Sequence, residues 1–305
     1  MDDPFADLPE KDRTARSVRM LETWIHHAEQ LVGVGGERTR WILASTIVAA
    51  VLQRTVDGNE VPLFLVKGGV YIERALNLKA RATKDLDMIH RGAVADFEKH
   101  VDEAIASDWG IISFSKGRFT SIENAPLTIK PRRFDMRLDV LGKRWASVQV
   151  EVSFVEGAVG DHVDRIPSPS TQFFGIDQPA DIATITMAYQ VAQKFHACTD
   201  PHDPPQFAQL RVRDIVDLYL IREAFHPDGV DLADVRGAAS DIFAARAEEA
   251  TLLGRTPRTW PPTIVPNEQW EIDWARPAGV TGITLTLEHA IANINEWITA
   301  IDAAQ

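Results

Sequence analysis

An α+β architecture is predicted, with a mixed sheet and flanking helices followed by a helical C-terminal domain. Three observations carry that expectation. Up to about residue 165, short apolar runs with period-two alternation are interleaved with stretches of three-to-four spacing. A Pro-Ser-rich piece, Ile166-Pro167-Ser168-Pro169-Ser170, then interrupts the chain, and beyond it the pattern is helical. The expected division is an N-terminal helical segment over residues 1–60, a sheet-bearing core over 61–166 and a helical domain over 171–305.

Residues 17–32 place Val18, Leu21, Trp24, Ile25 and Ala28 on one helical face, and residues 38–52 repeat that spacing. The short apolar run at 62–66 reads as a strand, broken by Gly68-Gly69, after which Val70, Ala75, Leu76 and Leu78 suggest a short helix. Asp85-Leu86-Asp87-Met88-Ile89 alternates polar and apolar residues as a half-buried strand does, and residues 96–108 form a helix. Strands are expected over 111–115, 133–141 and 147–154, the last two joined through Gly142-Lys143-Arg144. In the C-terminal part, helices are expected over 181–198, 207–224, 232–249 and 285–303.

With 305 residues, 45% hydrophobic and 25% charged, the chain can bury a full core without staples. A single cysteine, Cys198, excludes an intrachain disulfide and suits a reducing compartment. No apolar run approaches the roughly 20 residues that span a bilayer, and the acidic start Met1-Asp2-Asp3-Pro4 is unlike a signal peptide, so a cytoplasmic protein with no membrane partner is expected. The net charge of −12 argues against a general nucleic-acid coat, yet residues 116–144 hold eight basic against three acidic side chains. That segment either faces a polyanion or is a hairpin with charged, solvated edges.

Chemistry concentrates at one place. Asp85 and Asp87 lie two apart on a strand, so both project from one face about 7 Å apart, close enough to share a hard divalent cation. Lys67-Gly68-Gly69 leaves a strand and opens a helix, with Gly69 eighteen residues before Asp87. Glycines there let backbone N–H groups approach a phosphate at a helix N-terminus. Each feature alone is ordinary, a polar strand face or a plain turn. In sequence, a glycine turn followed by a same-face carboxylate pair is the layout of the polymerase-β-type nucleotidyltransferase core, whose usual Gly-Ser is here Gly68-Gly69. Such a core takes a third carboxylate from a neighbouring strand; Asp139 and Glu151 are the candidates, and Glu151 is favoured because Glu151-Val152-Ser153-Phe154 resembles the last core strand of such proteins.

Lys67-Gly68-Gly69 with Arg81-Ala82-Thr83-Lys84-Asp85-Leu86-Asp87 resembles the first motif of the AbiEii family of toxin–antitoxin nucleotidyltransferases, which includes the MenT toxins. The block Ala188-Tyr189-Gln190-Val191-Ala192-Gln193-Lys194-Phe195-His196-Ala197, followed by Arg211-Val212-Arg213-Asp214-Ile215-Val216-Asp217-Leu218, is similar to that family's lysine helix and Lys/Arg-Asp-x-x-Asp motif. The resemblance covers roughly residues 60–225. It departs at Gly69, where serine is usual, at Gln193, often glutamate, and at Arg213, often lysine.

The resemblance implies Asp85, Asp87, Lys194 and Asp214 as catalytic residues. Lys67, Gly68, Gly69, Arg81 and Thr83 would lie at the nucleotide, with Asp85, Asp87 and Glu151 at the metal, and Arg211, Arg213 and Asp217 as additional candidates. Left to the residues alone, Lys194 is an ordinary solvated helix lysine, and Asp217 is as much a structural ion-pair partner as a site residue. The implied cofactor is Mg²⁺, with Mn²⁺ the alternative, and the implied substrate is a nucleoside triphosphate. The implied acceptor is the 3′ end of tRNA, with the basic segment touching the RNA backbone. A cognate antitoxin is the implied partner, either a kinase that phosphorylates Thr83 or a transcriptional regulator. Three rivals stay open: transfer to a protein or small molecule, a non-catalytic binding protein on the same scaffold, and a metal-dependent nuclease. The sequence carries no Cys-x-x-Cys pattern, Walker P-loop or dinucleotide fingerprint.

Overall fold

The computed structural model describes residues 3–76, 82–123, 127–199, 211–225, 229–266 and 268–304. Helix α1 (Val18–Val32) starts where the Ser17 hydroxyl accepts the Met20 N–H, and it ends where Gly33 turns left-handed at φ +73°. Its stripe Leu21, Trp24, Ile25 and Ala28 is buried, as the spacing predicts. The remaining elements are α2 (Gly36–Leu52), β1 (Phe64–Val66), α3 (Gly68–Ala75), β2 (Asp85–His90), α4 (Phe97–Ile105), β3 (Ile112–Lys116), β4 (Thr120–Ser121), β5 (Arg132–Val140), β6 (Lys143–Phe154), β7 (Val163–Ile166), β8 (Ile182–Ile185), α5 (Met187–Cys198), α6 (Val212–Phe225), α7 (Leu232–Leu252), α8 (Glu268–Thr281) and α9 (Leu287–Asp302).

The strands form one mixed sheet in the order β3-β5-β6-β2-β1-β8-β7, with β4 beside β5. Strand β2 runs parallel to β6, and β1 runs parallel to β8. The β5–β6 hairpin is tighter than the expected three-residue turn, because Leu141 and Gly142 both take positive φ, at 50° and 73°, and Lys143 already belongs to the strand. Two left-handed residues match the right-handed twist of a hairpin. Helix α2 lies against β1, β6 and β8. Accordingly it is buried on most sides, Thr39, Ser45 and Thr46 included, instead of on the single face expected.

The structure departs from expectation most at residues 182–185. The predicted helix over 181–198 begins only at Met187, capped by the Thr186 hydroxyl; Ile182, Ala183, Thr184 and Ile185 are instead the fully buried strand β8 beside β1. Three apolar residues and a threonine running straight into a helix carry no periodicity that separates the two states. The sheet and its main core therefore continue across the Pro-Ser-rich piece, and that core includes residues from Phe5 to Ile301. Strand β7 and helix α8 were also not expected, and α8 carries Pro277 within it. The start of the helix expected over 207–224 lies outside the described residues; α6 is described from Val212.

Helices α5, α6, α7 and α9 pack against one another beside the sheet. Trp270, Trp274 and Trp297 are buried, and the indole N–H groups of Trp274 and Trp260 donate to the Leu285 carbonyl and to Asp302. These tryptophans belong to packing. Cys198 is buried, its thiol pushed well above the usual range by burial and then by Asp214. No helix among the described residues is long and apolar enough to cross a membrane.

Candidate active site

Strand β2 sets the floor of the site. Asp85 and Asp87 share one face, and the parallel register places Gln149 opposite Asp85 and Glu151 opposite Asp87. On the other side, the Lys67 N–H donates to the Asp87 carbonyl at 2.9 Å, drawing the end of β1 against the carboxylate strand. Gly68 then turns at φ +67°, where an added Cβ would sit 2.5 Å from Oδ2 of Asp87. Only glycine allows this close approach. At Gly69 a Cβ would lie 2.9 Å from Cβ of Thr83, so Thr83 takes up the room that the usual serine would need.

Asp87 is raised to about 6, by burial first, with Glu151 and Asp85 adding to the shift and Lys67 opposing it. Burial likewise lowers the Lys67 ammonium, against Glu156 and Asp87. Two carboxylates held on one face beside a third, with Asp87 buried among them, are the kind of oxygen donors a hard cation takes. Glu151 is in the position expected of a third ligand, yet its Oε1 accepts from Nε and Nη2 of Arg133, at 2.9 and 2.6 Å, across the β5–β6 register. Among the described residues no three His, Cys, Asp or Glu side chains converge in ligand geometry. Asp85 and Asp87 are thus the pair that would hold a divalent ion, and Glu151 would join them only by releasing Arg133.

The wall comes from α5 and α6. Lys194, 8% exposed, donates to Oδ1 of Asp214 at 2.6 Å and to Oδ2 of Asp217 at 2.8 Å. Burial would lower this ammonium, but the two carboxylates outweigh it and raise its pKa above the ordinary value. Lys194 is therefore not a solvated helix lysine, and Asp217 belongs to the same buried clamp as Asp214. Arg211 approaches Asp214 at 3.4 Å.

Sequence reasoning missed four residues here. Gln190 accepts the Gly68 N–H on Oε1 at 2.9 Å, so that donor, expected to face a phosphate, is already spent. The Gln190 Nε2 is buried without a partner, and the residue lines the cavity. Gln190 stood within the quoted helix block, but nothing in one strand of text pairs it with a turn 122 residues away. Arg246 from α7 forms a forked pair with Glu156, which Gln193 also contacts at 2.9 Å. Arg258 donates to the His196 carbonyl at 2.5 Å and meets its Nδ1 at 3.1 Å. Burial, then Arg258, Arg246 and Arg211, lower His196 to about 2, so it lines the cavity as a neutral imidazole.

Together these elements enclose a cavity of about 440 Å³ in which Lys67, Lys194, Arg211, Arg213, Arg246 and Arg258 face Asp87 and Asp214. Six cations around two carboxylates at the mouth of a glycine turn suit a polyphosphate accompanied by a divalent ion. Asp85 opens instead onto a second groove, as does Thr83. Thr83 is 8% exposed; its N–H donates to Glu73 and its carbonyl accepts from Arg38. Arg81 lies outside the described residues. In the basic segment, Lys116, Arg133 and Arg144 are engaged by Asp102, Glu151 and Asp139.

Over residues 50–292 the chain matches the profile of a family described as "Nucleotidyl transferase AbiEii toxin, Type IV TA system". No curated protein matches it. Among solved structures it is similar to MenT4, a nucleotidyltransferase toxin from Mycobacterium tuberculosis H37Rv, with a TM-score of 0.50 and 14% identity over 95% of this chain and 100% of that one. At that identity the likeness bears on the fold, and it agrees with the mixed sheet and flanking helices described above.

Proposed function

The chain belongs to the AbiEii family of nucleotidyltransferase toxins of type IV toxin–antitoxin systems, and from that premise we propose that it transfers a nucleoside monophosphate from a nucleoside triphosphate to the 3′ end of tRNA, blocking translation. The observation that carries this reading is the same-face pair Asp85 and Asp87 beside a cavity ringed by six cations.

The triphosphate lies in that cavity, its charge met by Lys67, Arg211, Arg246 and Arg258. Lys194 has three N–H donors, two of them held by Asp214 and Asp217. The clamp fixes the third toward the phosphates and keeps the ammonium charged throughout the working pH range. Asp85 and Asp87 would hold a divalent cation, Mg²⁺ above all, which supplies Lewis-acid polarisation of the α-phosphoryl group and screens its charge. The acceptor hydroxyl forms the new P–O bond at the α-phosphorus while the bond to the β-phosphate breaks in line; pyrophosphate departs among the cations and the hydroxyl proton leaves to water. A cognate antitoxin restrains the enzyme. If it is a kinase acting on Thr83, the added phosphate brings nearly two negative charges beside Asp85 and repels the triphosphate.

The test is incubation of the protein and its Asp85→Ala variant with total tRNA, Mg²⁺ and each labelled nucleoside triphosphate in turn. Label joining tRNA with the parent protein alone is the expected result. Label joining protein or a small molecule, with none on tRNA, would move the acceptor to that class.

A further inference from the structure

The second groove, about 720 Å³, is formed where the approach to β2, the first turn of α6 and one face of α8 meet. Asp85 lines it, whereas Asp87, two residues on along the same strand face, lines the cation cavity. Arg213 lines both. The two spaces are thus neighbours on either side of the carboxylate pair. The groove's walls are mixed: Lys84, Arg213 and Arg276 are exposed cations, against Asp85 and Asp273. Ile272 and Val280 on α8 stand 74% and 72% exposed, bare aliphatic side chains beside those charges.

We propose that this groove receives the acceptor, a single-stranded polynucleotide 3′ end whose terminal hydroxyl reaches the α-phosphorus from the Asp85 side. The inference rests on the transfer reading above and adds where the acceptor lies. In-line displacement puts the attacking oxygen opposite the departing pyrophosphate. With the pyrophosphate among Lys67, Arg246 and Arg258, the open approach to the reacting phosphorus is the one that Asp85 and Arg213 border. Cations beside exposed aliphatic side chains suit a single strand, whose phosphates meet the former and whose bases pack on the latter. Three cations against two carboxylates leave the groove's lining with a net positive charge that suits a phosphate backbone. The basic segment at 116–144 is a poorer dock, because its Lys116, Arg133 and Arg144 are already paired with carboxylates.

The experiment compares Arg276→Glu and the double variant Ile272→Glu/Val280→Glu with Arg118→Glu/Arg137→Glu on the basic segment. Each is read for half-saturating tRNA concentration in label transfer and for nucleoside triphosphate binding by calorimetry. Arg118, Arg137 and Arg276 are charged already, Ile272 and Val280 are apolar, and all five are exposed, so thermal midpoints are expected to stay at the parent value. The groove variants should raise the half-saturating tRNA concentration roughly tenfold with nucleotide binding unchanged, and the basic-segment variant should change it by less than about threefold. Groove variants that behave as the parent, or the larger effect on the basic segment, would overturn the groove while leaving transfer to tRNA intact. A parent protein that labels no RNA would instead remove the transfer reading, and the groove with it.

Discussion

The two ends of strand β2 carry ionisable groups that burial pushes in opposite directions toward the same outcome. In its first half Asp87 is raised to about 6, and at its last residue His90 is lowered to about 4, so both are pushed toward the uncharged form. The surroundings differ completely. His90 is fully buried among Phe64, Phe97 and Phe154, and its Nε2 meets Nδ1 of His100 at 2.9 Å. Asp87 instead faces Asp85, Glu151 and a cavity of cations. A shifted pKa by itself marks burial. What marks a working site is like charge gathered beside an opening that a ligand can enter, a cost to the empty protein that binding relieves.

The comparison is tested most severely by Asp87→Asn. Transfer should fall roughly a thousandfold, about 4 kcal/mol, because the cation loses one of its two holding groups. In the chelator-treated protein the same change should be stabilising. A carboxyl whose pKa is raised in the folded chain, from 3.8 to about 6, binds its proton more tightly there than when unfolded. Stability is therefore greatest below 3.8 as far as this group is concerned, falls as pH rises to about 6, and stays lower above it. Asparagine removes that loss, so denaturation at pH 8 should show a gain of about 1 to 3 kcal/mol. A destabilised Asp87→Asn protein would put both ends of the strand in the same, purely structural class.

Next in size is Lys194→Met. It removes the ammonium that Asp214 and Asp217 share in a buried clamp and should cost about 3 kcal/mol in urea denaturation, most of it recovered when both aspartates become asparagine. Additive losses in the triple variant would mean the clamp is not the unit described here.

The His90 end gives the opposite pH dependence. Its pKa is depressed from 6.5 to about 4, by burial first and then by His100, so the unfolded chain binds the proton more readily. Stability from this group is whole above 6.5 and is lost as pH falls toward about 4, an effect of about 2 kcal/mol. His90→Phe should flatten that acid limb and leave nucleotide transfer at the parent rate; a large loss of transfer would mean the two ends of β2 are coupled.

The smallest effect expected is at Gln190→Leu, which leaves the Gly68 N–H unpaired. The KM for the triphosphate should rise about fivefold, near 1 kcal/mol, with kcat little changed. A change confined to kcat would place Gln190 at the reacting phosphorus instead of the turn.

Several of these features were legible before any coordinates. Period-two alternation located β2 and its carboxylate face, and the register of β6 then brought Glu151 opposite Asp87, where it was expected. Other features were hidden. Strand β8 runs into α5 without a break in hydrophobicity, and α8 holds a proline within its span. Lys194 and Asp214 stood out only through family resemblance, since a lysine on a helix has no local mark of burial. Arg246 and Arg258 had no signal at all.

The division has a physical cause. Backbone dihedrals and side-chain alternation depend on near neighbours along the chain, so the sequence by itself determined the carboxylate strand, the Lys67-Gly68-Gly69 turn and most of the helices. Coulomb energy and desolvation depend on distances through space between residues far apart in the chain. Only the tertiary structure decided that Arg133 holds Glu151, that Gln190 takes the Gly68 N–H, that Asp214 and Asp217 clamp Lys194, and that six cations close around Asp87.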